Sequence, residues 1–328
     1  MRALQVEAFG DPQALLVQDI SLRAPGRGEV QVRIAGVGVG FFDGLLIKGE
    51  YQIKPPLPFV PGSAFSGEVI AVGEAVTHLK AGDRVAGFAL LGALAETLTL
   101  SAHSCYPLPR QIPLLDAANF FIAYATGLYG LRECGRLLPG ETVLIPGGSG
   151  TTGSTAIEIA KAMGARVIAG ASTPEKRQRC TAAGADITVD TSRDDWVKEV
   201  KAVMGRGINV VYDPVGGEVT EKALRLLAPG GRHLIVGFVA GIPKIPSNLL
   251  LLKRCSIIGV NWGGETMENP AVVGPVIQQL VEWTLFGTLK TAPDHVYPLE
   301  HAGEAFAAIF NRSSTGKVVI SPWNPDAD

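Results

Sequence analysis

Three glycines at a fixed spacing stand between an apolar segment and a helical one. Gly148, Gly150 and Gly153 form the pattern G-x-G-x-x-G within VLIPGGSGTTG, residues 143–153. One glycine of such a turn permits a tight bend, another lets the backbone approach a pyrophosphate, and the third lets helix and strand pack closely. The helix N-terminus adds N–H groups and partial positive charge, which attract phosphate. A chain with 40 glycines can contain this pattern by chance, but its place after a strand and before a helix predicts a dinucleotide site.

The end of the next predicted strand indicates which dinucleotide is bound. NAD sites usually carry Asp or Glu there to bind the ribose hydroxyls. Here the strand ends at Ala171 and Ser172 without an acid, and Lys176 and Arg177 follow one helical turn later. This favours NADPH over NADH, although Glu175 lies beside the basic pair and such a pair is also common on solvated helix surfaces.

The elements around this turn alternate from about Tyr124 onward. Strands are predicted to begin at residues 141, 165, 186, 208, 232 and 255, and helices are predicted over 154–163, 174–183, 194–204 and 218–227. Pro229, Gly230 and Gly231 are expected to end a helix. Strands joined by helices of this length predict an α/β domain, 124–266, with a doubly wound parallel sheet of the Rossmann type.

The first hundred residues instead contain short strand-like runs, at 30–34, 67–72 and 83–86, with a Pro-rich loop at 54–62. This spacing predicts a small barrel or folded sheet. After Trp262 the alternation ends, and a helix at about 275–286 and a last strand have little core of their own. We therefore expect a discontinuous β-rich domain made of 1–123 and 267–328.

Composition and charge exclude several classes of function. The formal net charge is −2, which gives no electrostatic reason to expect nucleic acid or an anionic membrane as partner. No apolar run reaches the roughly 18 residues of a membrane span. Glu7 and Asp11 stand where a signal peptide would be apolar, so a cytoplasmic protein is expected. The four cysteines form no Cys-x-x-Cys pair, and a disulfide framework is not expected.

Over nearly its whole length the chain resembles the quinone oxidoreductase branch of the medium-chain dehydrogenase/reductase superfamily. The segments that carry the resemblance are LPFVPGSAFSGEVIAVG followed by GDRV, LLPGETVLIPGGSGTTG, VYDPVGG, LAPGGRHLIVGF, NLLLLKRCSIIGVNWG and TGKVVISP. The resemblance implies a chaperonin-10-like β-rich catalytic domain around an inserted Rossmann domain, with cofactor and substrate in the cleft between them. It also implies a homodimer joined through the last strand of the nucleotide-binding sheet, at about 255–262.

The same resemblance implies a set of cofactor contacts. Besides the motif glycines Gly148, Gly150 and Gly153, they are Thr126, Thr151, Thr152, Ser172, Lys176, Phe238, Asn261 and Trp262. Phe238 and Trp262 fit core packing nearly as well. Lys317 is a further possible contact, although a solvated lysine at a strand end is the commoner case.

Zinc-dependent members of the superfamily carry a Cys after the second strand and a His-Glu pair after Pro-Gly. The corresponding residues here are Gly38-Val39-Gly40-Phe41-Phe42-Asp43 and Gly62-Ser63-Ala64. The five histidines show no ligand spacing. We therefore expect no metal. Oxidising an unactivated alcohol is difficult without a Lewis acid, whereas reducing a quinone or an activated double bond needs none.

The expected reaction is hydride transfer from NADPH to a quinone or an α,β-unsaturated carbonyl compound. Tyr51 matches the proton-donating tyrosine of related enoyl-thioester reductases, and a packing role for it is equally compatible with the sequence. The predicted substrate pocket consists of Phe41, Phe42, Tyr51, Phe65 and Tyr124, with Asp43 and Tyr124 as weaker proton-donor candidates.

Two alternatives remain open: an enoyl-thioester (enoyl-CoA) reductase, and a non-catalytic NADPH-binding protein. The chain also departs from its relatives at the predicted sites. Gly40, Leu45, Thr151-Thr152 and Thr191 stand where relatives often have Asn, Tyr, Gly-Val and Tyr.

Overall fold

The computed structural model describes residues 1–323. The strands are β1 (Arg2–Leu4), β2 (Val17–Asp19), β3 (Glu29–Gly38), β4 (Ala64–Val72), β5 (Arg84–Phe88), β6 (Thr97–Ser101), β7 (Cys105–Pro107), β8 (Thr142–Pro146), β9 (Arg166–Ala171), β10 (Ile187–Asp190), β11 (Ile208–Asp213), β12 (Leu227–Ile235), β13 (Ser256–Gly259), β14 (His295–Pro298) and β15 (Val318–Ser321). The α-helices are α1 (Phe41–Lys48), α2 (Leu114–Ala117), α3 (Ala125–Leu128), α4 (Thr151–Ala162), α5 (Pro174–Ala182), α6 (Trp196–Val203), α7 (Gly217–Leu224), α8 (Ser247–Lys253), α9 (Trp262–Glu268), α10 (Val273–Leu285) and α11 (Ala302–Phe310).

The chain divides into two compact units. One contains Met1–Ile122, Ile277–Leu285 and the described residues from Thr291 onward, and the other contains Ala123–Val276 and Phe286–Lys290. The last residues of the expected discontinuous domain, 324–328, lie outside the described residues.

The first unit is built on a seven-stranded sheet in the order β14-β15-β3-β4-β5-β7, with β6 also paired to β3. The long strand β3 pairs antiparallel with β4, β6 and β15, so it lies at the centre of the unit. The strand-like run predicted at 30–34 lies within β3, and its Val30, Val32 and Ile34 are fully buried in the core. This confirms the β-rich, chaperonin-10-like part of the predicted fold.

Helix α1 was not predicted from the sequence. It comes directly after β3, the central strand of this sheet. Its first turn is closed by Asp43, whose Oδ2 accepts a hydrogen bond from the Gly40 N–H at 2.9 Å. Its last turn ends at Gly49, which has φ of +67° and donates to the carbonyls of Leu45 and Leu46. These caps form a helix in a segment whose composition alone does not indicate one.

The second unit is a six-stranded parallel sheet in the order β10-β9-β8-β11-β12-β13. This is the doubly wound order of dinucleotide-binding folds, in which the direction of winding reverses between β8 and β11. The predicted α/β fold class is confirmed. Its core contains Leu144, Ile168, Val211 and Trp196, all almost fully buried.

Two predicted helix boundaries in this unit are wrong by three residues, and the strand predicted to begin at 232 begins at Leu227. Helix α4 begins at Thr151 rather than 154, because Gly150 has an extended backbone and the helix starts at the next residue. Helix α7 ends at Leu224 rather than 227. The Ile208 N–H donates to the Leu226 carbonyl, and Leu227 pairs with Ile208 in the sheet, so these two leucines are no longer helical. Gly230 and Gly231 therefore do not end a helix; they lie within β12, where its pairing with β11 shifts register.

No helix in residues 1–323 combines the length and apolar character that crossing a membrane requires.

Candidate functional site

The glycine-rich turn connects β8 to α4 at the carboxyl edge of the parallel sheet. Gly147, one residue before the predicted motif, makes the sharp bend with φ of +66°. The Gly148 N–H then donates to the Gly170 carbonyl of β9 at 3.0 Å. A Cβ on Gly153 would lie 2.2 Å from the Gly147 carbonyl oxygen, so only glycine allows helix and turn to approach this closely. Gly153 thus has the packing role that the spacing predicts for one of the three glycines, but the tight bend belongs to Gly147.

The N-terminus of α4 fits a phosphate group. Gly150 is the N-cap residue and supplies no side-chain cap. The first-turn N–H groups carry the partial positive charge of the helix dipole, which attracts an anion. A Cβ on Gly150 would have only the Gly147 carbonyl within 4 Å, at 3.8 Å, which means that the space beside this residue is open. Thr151 and Thr152 lie in the same turn. The predicted pyrophosphate cradle is therefore compatible with the local structure.

The end of β9 lacks an acid and is accessible. Ser172 is exposed, and Thr173 caps α5 by accepting a hydrogen bond from the Lys176 N–H at 3.3 Å. Arg177 forms an ion pair with Asp190, the last residue of β10, at 2.9 Å. The Thr191 N–H donates to the Ala171 carbonyl at 3.2 Å, so the strand ends of β9 and β10 lie side by side.

A buried carboxylate at the end of β11 was missed in the sequence analysis. Both Asp213 and His233 are fully buried. Asp213 accepts hydrogen bonds from the N–H groups of Val215 and Gly216, from the Thr220 hydroxyl at 2.5 Å and from His233 Nε2 at 3.0 Å. Burial alone would raise the pKa of Asp213, but the hydrogen bond and charge of His233, aided by Thr220 and Gly216, hold it below its usual value. The only sequence signal was the segment VYDPVGG.

Asp213 also positions the segment that carries Phe238. The N–H groups of Val236 and Gly237 donate to the Asp213 carbonyl, at 2.9 and 3.3 Å. Gly216, with φ of +77°, has no room for a Cβ, which would lie 2.6 Å from the Gly241 carbonyl oxygen. The Phe238 side chain is 45% exposed, so it is available at the carboxyl edge of the sheet.

The predicted contacts after β13 differ in how accessible they are. Asn261 caps α9 through its side-chain oxygen, which accepts a hydrogen bond from the Gly264 N–H at 3.0 Å. Trp262 is only 6% exposed, and its ring centroid lies 5.4 Å from that of Tyr129. The Tyr129 hydroxyl donates to Glu265 at 3.1 Å. Trp262 therefore packs inside the unit, whereas the predicted contact Thr126 on α3 is partly exposed.

Tyr124, a predicted pocket residue, is fully buried in the second unit. Its hydroxyl donates to Glu158 on α4 at 2.9 Å and lies 3.3 Å from the Lys290 carbonyl. Glu158 also accepts a hydrogen bond from the Lys290 N–H at 2.9 Å. Tyr124 thus ties two distant chain segments to the helix that follows the glycine turn.

In the first unit, the rings of Tyr51 and Phe42 are in contact, whereas the predicted substrate pocket itself stays a prediction. Their rings meet edge to face, with centroids 4.6 Å apart. Tyr51 is partly exposed, and burial raises the pKa of its phenol. Phe42 therefore fixes the orientation of a phenol that stays protonated at neutral pH.

Phe41 and Phe65 lie elsewhere in this unit. Phe41 packs against Phe310 of α11, with ring centroids 4.7 Å apart and ring planes tilted by 47°. Phe65 is fully buried in the core on β4, with its ring across Gly87. These placements support packing roles for both residues.

Asp43 lies in the first turn of α1 and is buried, with 1% of its surface exposed. Besides the Gly40 N–H, Ser63 approaches it, with its Oγ 3.4 Å from Asp43 Oδ1. Burial raises the pKa of Asp43 to about 6, against the opposing effect of these hydrogen bonds. Lys317 is also buried, at 2% exposure, rather than solvated.

A metal site was not expected. Within residues 1–323 the structure contains no cluster of three His, Cys, Asp or Glu side chains arranged to hold a metal ion.

Comparison with known proteins finds a matching domain family in each of two parts of the chain. The alcohol dehydrogenase GroES-like domain family matches residues 26–110, and the zinc-binding dehydrogenase family matches residues 151–276. The chain is 38% identical to a quinone oxidoreductase-like protein 2 homolog of Nematostella vectensis over 326 residues, 98% of this chain and 88% of that protein.

Two solved structures are similar over the whole chain. The quinone oxidoreductase of Escherichia coli, complexed with NADPH, superimposes with a TM-score of 0.91 at 28% identity and covers 98% of this chain and 100% of its own. The CurK enoyl reductase superimposes with a TM-score of 0.88 at 27% identity and covers 98% of both chains.

Proposed function

Because this chain belongs to the quinone oxidoreductase branch of the medium-chain dehydrogenase/reductase superfamily, we propose that it is an NADPH-dependent reductase of quinones or α,β-unsaturated carbonyl compounds. The observation that carries the proposal is the N-terminus of α4, where glycine is the N-cap residue, beside an acid-free end of β9. A phosphate-bearing dinucleotide fits both features, and the E. coli relative was solved with NADPH.

In this proposal the residues of the second unit hold NADPH. The first-turn N–H groups of Thr151, Thr152 and Gly153 bind the pyrophosphate. Ser172 and Lys176 lie at the end that receives the adenosine phosphate. When bound, the nicotinamide supplies a hydride, and the protein's task is to orient the reactants and deliver a proton.

Tyr51 is the proposed proton donor. Its ring is held by Phe42, and its raised pKa keeps the phenol protonated across the neutral range. Hydride addition to the β-carbon of an enone leaves an enolate, which is basic enough at its α-carbon to take a proton from a phenol. A reduced quinone needs less help because its charge remains on phenolate oxygens.

The reaction is proposed to need no metal. The loops that hold zinc ligands in metal-dependent members contain Gly40 and Ser63 here. The carboxylate of Asp43 is buried against the Gly40 N–H and Ser63 rather than presented as a ligand. A quinone or enone supplies its own carbonyl as the electron sink, so the chemistry does not require a Lewis acid.

A second candidate function is the reduction of enoyl thioesters, favoured by the similarity to the CurK enoyl reductase. The test is NADPH oxidation by the purified protein with quinones, simple enones and enoyl thioesters as separate acceptors, with and without a chelator. Chelator-insensitive turnover of quinones or enones supports the proposal. Preference for thioesters supports the second candidate, and NADPH binding without turnover of any acceptor would indicate a non-catalytic protein.

We also propose that the protein is a homodimer joined at the open edge of the parallel sheet. In the described structure β13 pairs with β12 alone, and Leu251 and Leu252 of the preceding helix α8 are 80% and 74% exposed. An open strand edge beside exposed leucines suits a second copy of the chain.

Light scattering should give a dimer for the wild type and a monomer for Leu251→Glu/Leu252→Glu. Leu138→Glu, at a leucine that is also exposed, should remain dimeric. The expected cytoplasmic location and the absence of nucleic-acid partners stay predictions.

A further inference from the structure

The formal net charge of −2 conceals an uneven distribution of charge on the second unit. All strands of its parallel sheet begin at one edge, the amino edge. An exposed arginine stands at or shortly before the start of five of the six strands: Arg166 for β9, Arg136 for β8, Arg206 for β11, Arg225 for β12 and Arg254 for β13. Because neighbouring strands lie about 4.8 Å apart, this arginine row extends over roughly 20 Å.

Acids do not neutralise the arginine row. The acids in the same turns pair with other bases: Glu141 with Arg232 at 2.7 Å, Asp186 with Lys161 at 2.8 Å and Glu133 with Arg132 at 2.6 Å. Glu221 of α7, four residues before Arg225, offsets at most one charge. Within residues 1–323 no arginine of the row belongs to an ion pair. The amino edge therefore carries an excess of positive charge.

Two arginines of the row adopt a backbone conformation that favours glycine. Arg136 has φ of +46°, and Arg254, which caps the end of α8, has φ of +52°. Glycine is the usual residue in this conformation at a helix end, because a side chain there is strained. The turn itself thus does not account for arginine at these two places.

An exposed apolar side chain accompanies the charges. Leu138 lies two residues after Arg136, in the turn before β8, and is 62% exposed. Arginine beside an exposed leucine suits an anionic lipid surface, where guanidinium groups bind headgroup phosphates and the apolar side chain enters the interface. Single-stranded nucleic acid is held instead by aromatic side chains on which bases stack, and these turns present none beside the arginines. We propose that the amino edge of the parallel sheet docks on membranes that contain anionic phospholipid.

This docking departs from the expectation drawn from the net charge, and it does not depend on the proposed reductase activity. It needs no membrane-spanning helix, because each arginine near an anionic surface strengthens binding about fivefold by charge alone. Salt should weaken it, because the charges are exposed and are screened.

Flotation of the purified full chain with vesicles tests the proposal. The vesicles consist of phosphatidylcholine alone or of a three-to-one mixture of phosphatidylcholine and phosphatidylserine. The wild type should float with the mixed vesicles at low salt, stay in solution with phosphatidylcholine alone, and leave the mixed vesicles as salt is raised. Arg206→Glu/Arg225→Glu should weaken binding to the mixed vesicles at least about tenfold. Both residues precede strands other than β13, the strand proposed for the dimer contact.

The matched control is Arg27→Glu/Arg110→Glu, at two exposed arginines of the first unit. It changes the net charge of the chain by the same amount. It should bind mixed vesicles within about twofold of the wild type, because exposed charges more than a Debye length from the membrane are screened. Equal losses in the two double variants would show an effect of net charge and would overturn the proposal.

Arg136→Gly separates lipid binding from loss of fold. Glycine relieves the left-handed backbone, so thermal unfolding should show the variant to be at least as stable as the wild type, while its binding to mixed vesicles falls about fivefold. Leu138→Glu should also weaken vesicle binding. A stable Arg136→Gly protein that binds like the wild type would contradict the role of the row.

Two further outcomes would assign the edge to another partner. Binding of a single-stranded oligonucleotide through Arg206 and Arg225, without flotation on either vesicle, would indicate a nucleic-acid surface. Release from mixed vesicles by soluble glycerophosphoserine would indicate a site for small anions. Either result would overturn membrane docking. None of these readouts uses NADPH oxidation, so failure of the reductase proposal would leave them unaffected.

Discussion

His233 Nε2 lies 3.0 Å from Asp213 Oδ2, and neither side chain is exposed to solvent. The pair joins β11 to β12 and holds the turn that follows β11. Asp213→Asn should lower the free energy of unfolding by on the order of 3 kcal/mol, since it leaves buried hydrogen-bond partners mismatched. Urea denaturation would measure the loss. Asp186→Asn, at a half-exposed ion pair, should cost less than about 1 kcal/mol.

The pH dependence of that loss follows from the lowered pKa of Asp213. A carboxyl group whose pKa is depressed by folding contributes stability above its unfolded pKa, about 3.9, and loses it as the pH falls through the folded value. The difference between wild type and Asp213→Asn should be constant from about pH 5 to 8 and shrink below about pH 4. A difference that grows on acidification would contradict the charged state assigned to Asp213.

Asp43 should behave in the opposite way. Burial raises the pKa of Asp43 to about 6, so its ionised form destabilises the fold, and this cost appears as the pH rises through about 4 to 6. Asp43→Asn should therefore be more stable than the wild type by on the order of 2 kcal/mol at about pH 7.5, with the advantage lost below about pH 4. Thermal unfolding across pH measures this. Asp19→Asn, at an exposed aspartate, is the control and should change little. Equal destabilisation of Asp43→Asn at every pH would show that its hydrogen bonds, not its charge, dominate.

Gly150 and Gly153 should respond differently to alanine. Gly153→Ala places a Cβ 2.2 Å from the Gly147 carbonyl oxygen, so it should destabilise the second unit by about 2–3 kcal/mol. Gly150→Ala meets nothing closer than 3.8 Å and has φ of −79°, so it should fold normally. Its methyl group would occupy the space proposed for the pyrophosphate, and NADPH affinity should fall at least about tenfold. Thermal unfolding and calorimetry on both variants test this. A Gly150→Ala protein with wild-type affinity would show that the cofactor does not approach this residue.

Tyr51→Phe should separate the two kinds of acceptor. Loss of the proton donor should lower kcat for a simple enone by about a hundredfold while quinone reduction falls only a few-fold, because general acid catalysis contributes at least that much where a carbanion must be protonated. NADPH affinity should not change.

Since the pKa of Tyr51 is raised, its phenol should stay protonated, and the wild-type rate of enone reduction should not fall through its deprotonation from about pH 7 to 9. Tyr106→Phe, at another tyrosine whose pKa burial raises, is the matched control. Equal losses for both acceptors would indicate a packing role for Tyr51.

The fold was predictable where short-range spacing encodes it. The glycine pattern at 148–153 and the alternation of strands and helices depend on local backbone requirements, and both led to the parallel sheet. The absence of an acid at the end of β9 was also predictable, because this strand follows the glycine motif closely in sequence.

Relationships between distant segments were not predictable. Asp213 and His233 are 20 residues apart, and their contact exists only because β11 and β12 pair in one register. The bend falls at Gly147, one residue before the motif, where a Cβ would lie 2.8 Å from Cγ2 of Val215, a residue of the distant turn after β11. Tyr124 was predicted to line the pocket, but it is fully buried. Its hydroxyl contacts Glu158 and Lys290, which lie in segments far along the chain, so the sequence alone does not show this contact.

In the proposed reaction the protein transfers a hydride from NADPH to a conjugated carbonyl compound. The most direct measurement uses NADPH carrying deuterium at both C4 positions of the nicotinamide and a simple enone, with the reduced product examined by mass spectrometry and NMR. Hydride transfer should leave one deuterium on the β-carbon of the product and a solvent proton on the α-carbon. A product without deuterium at the β-carbon, or no consumption of NADPH with enones and quinones alike, would contradict it.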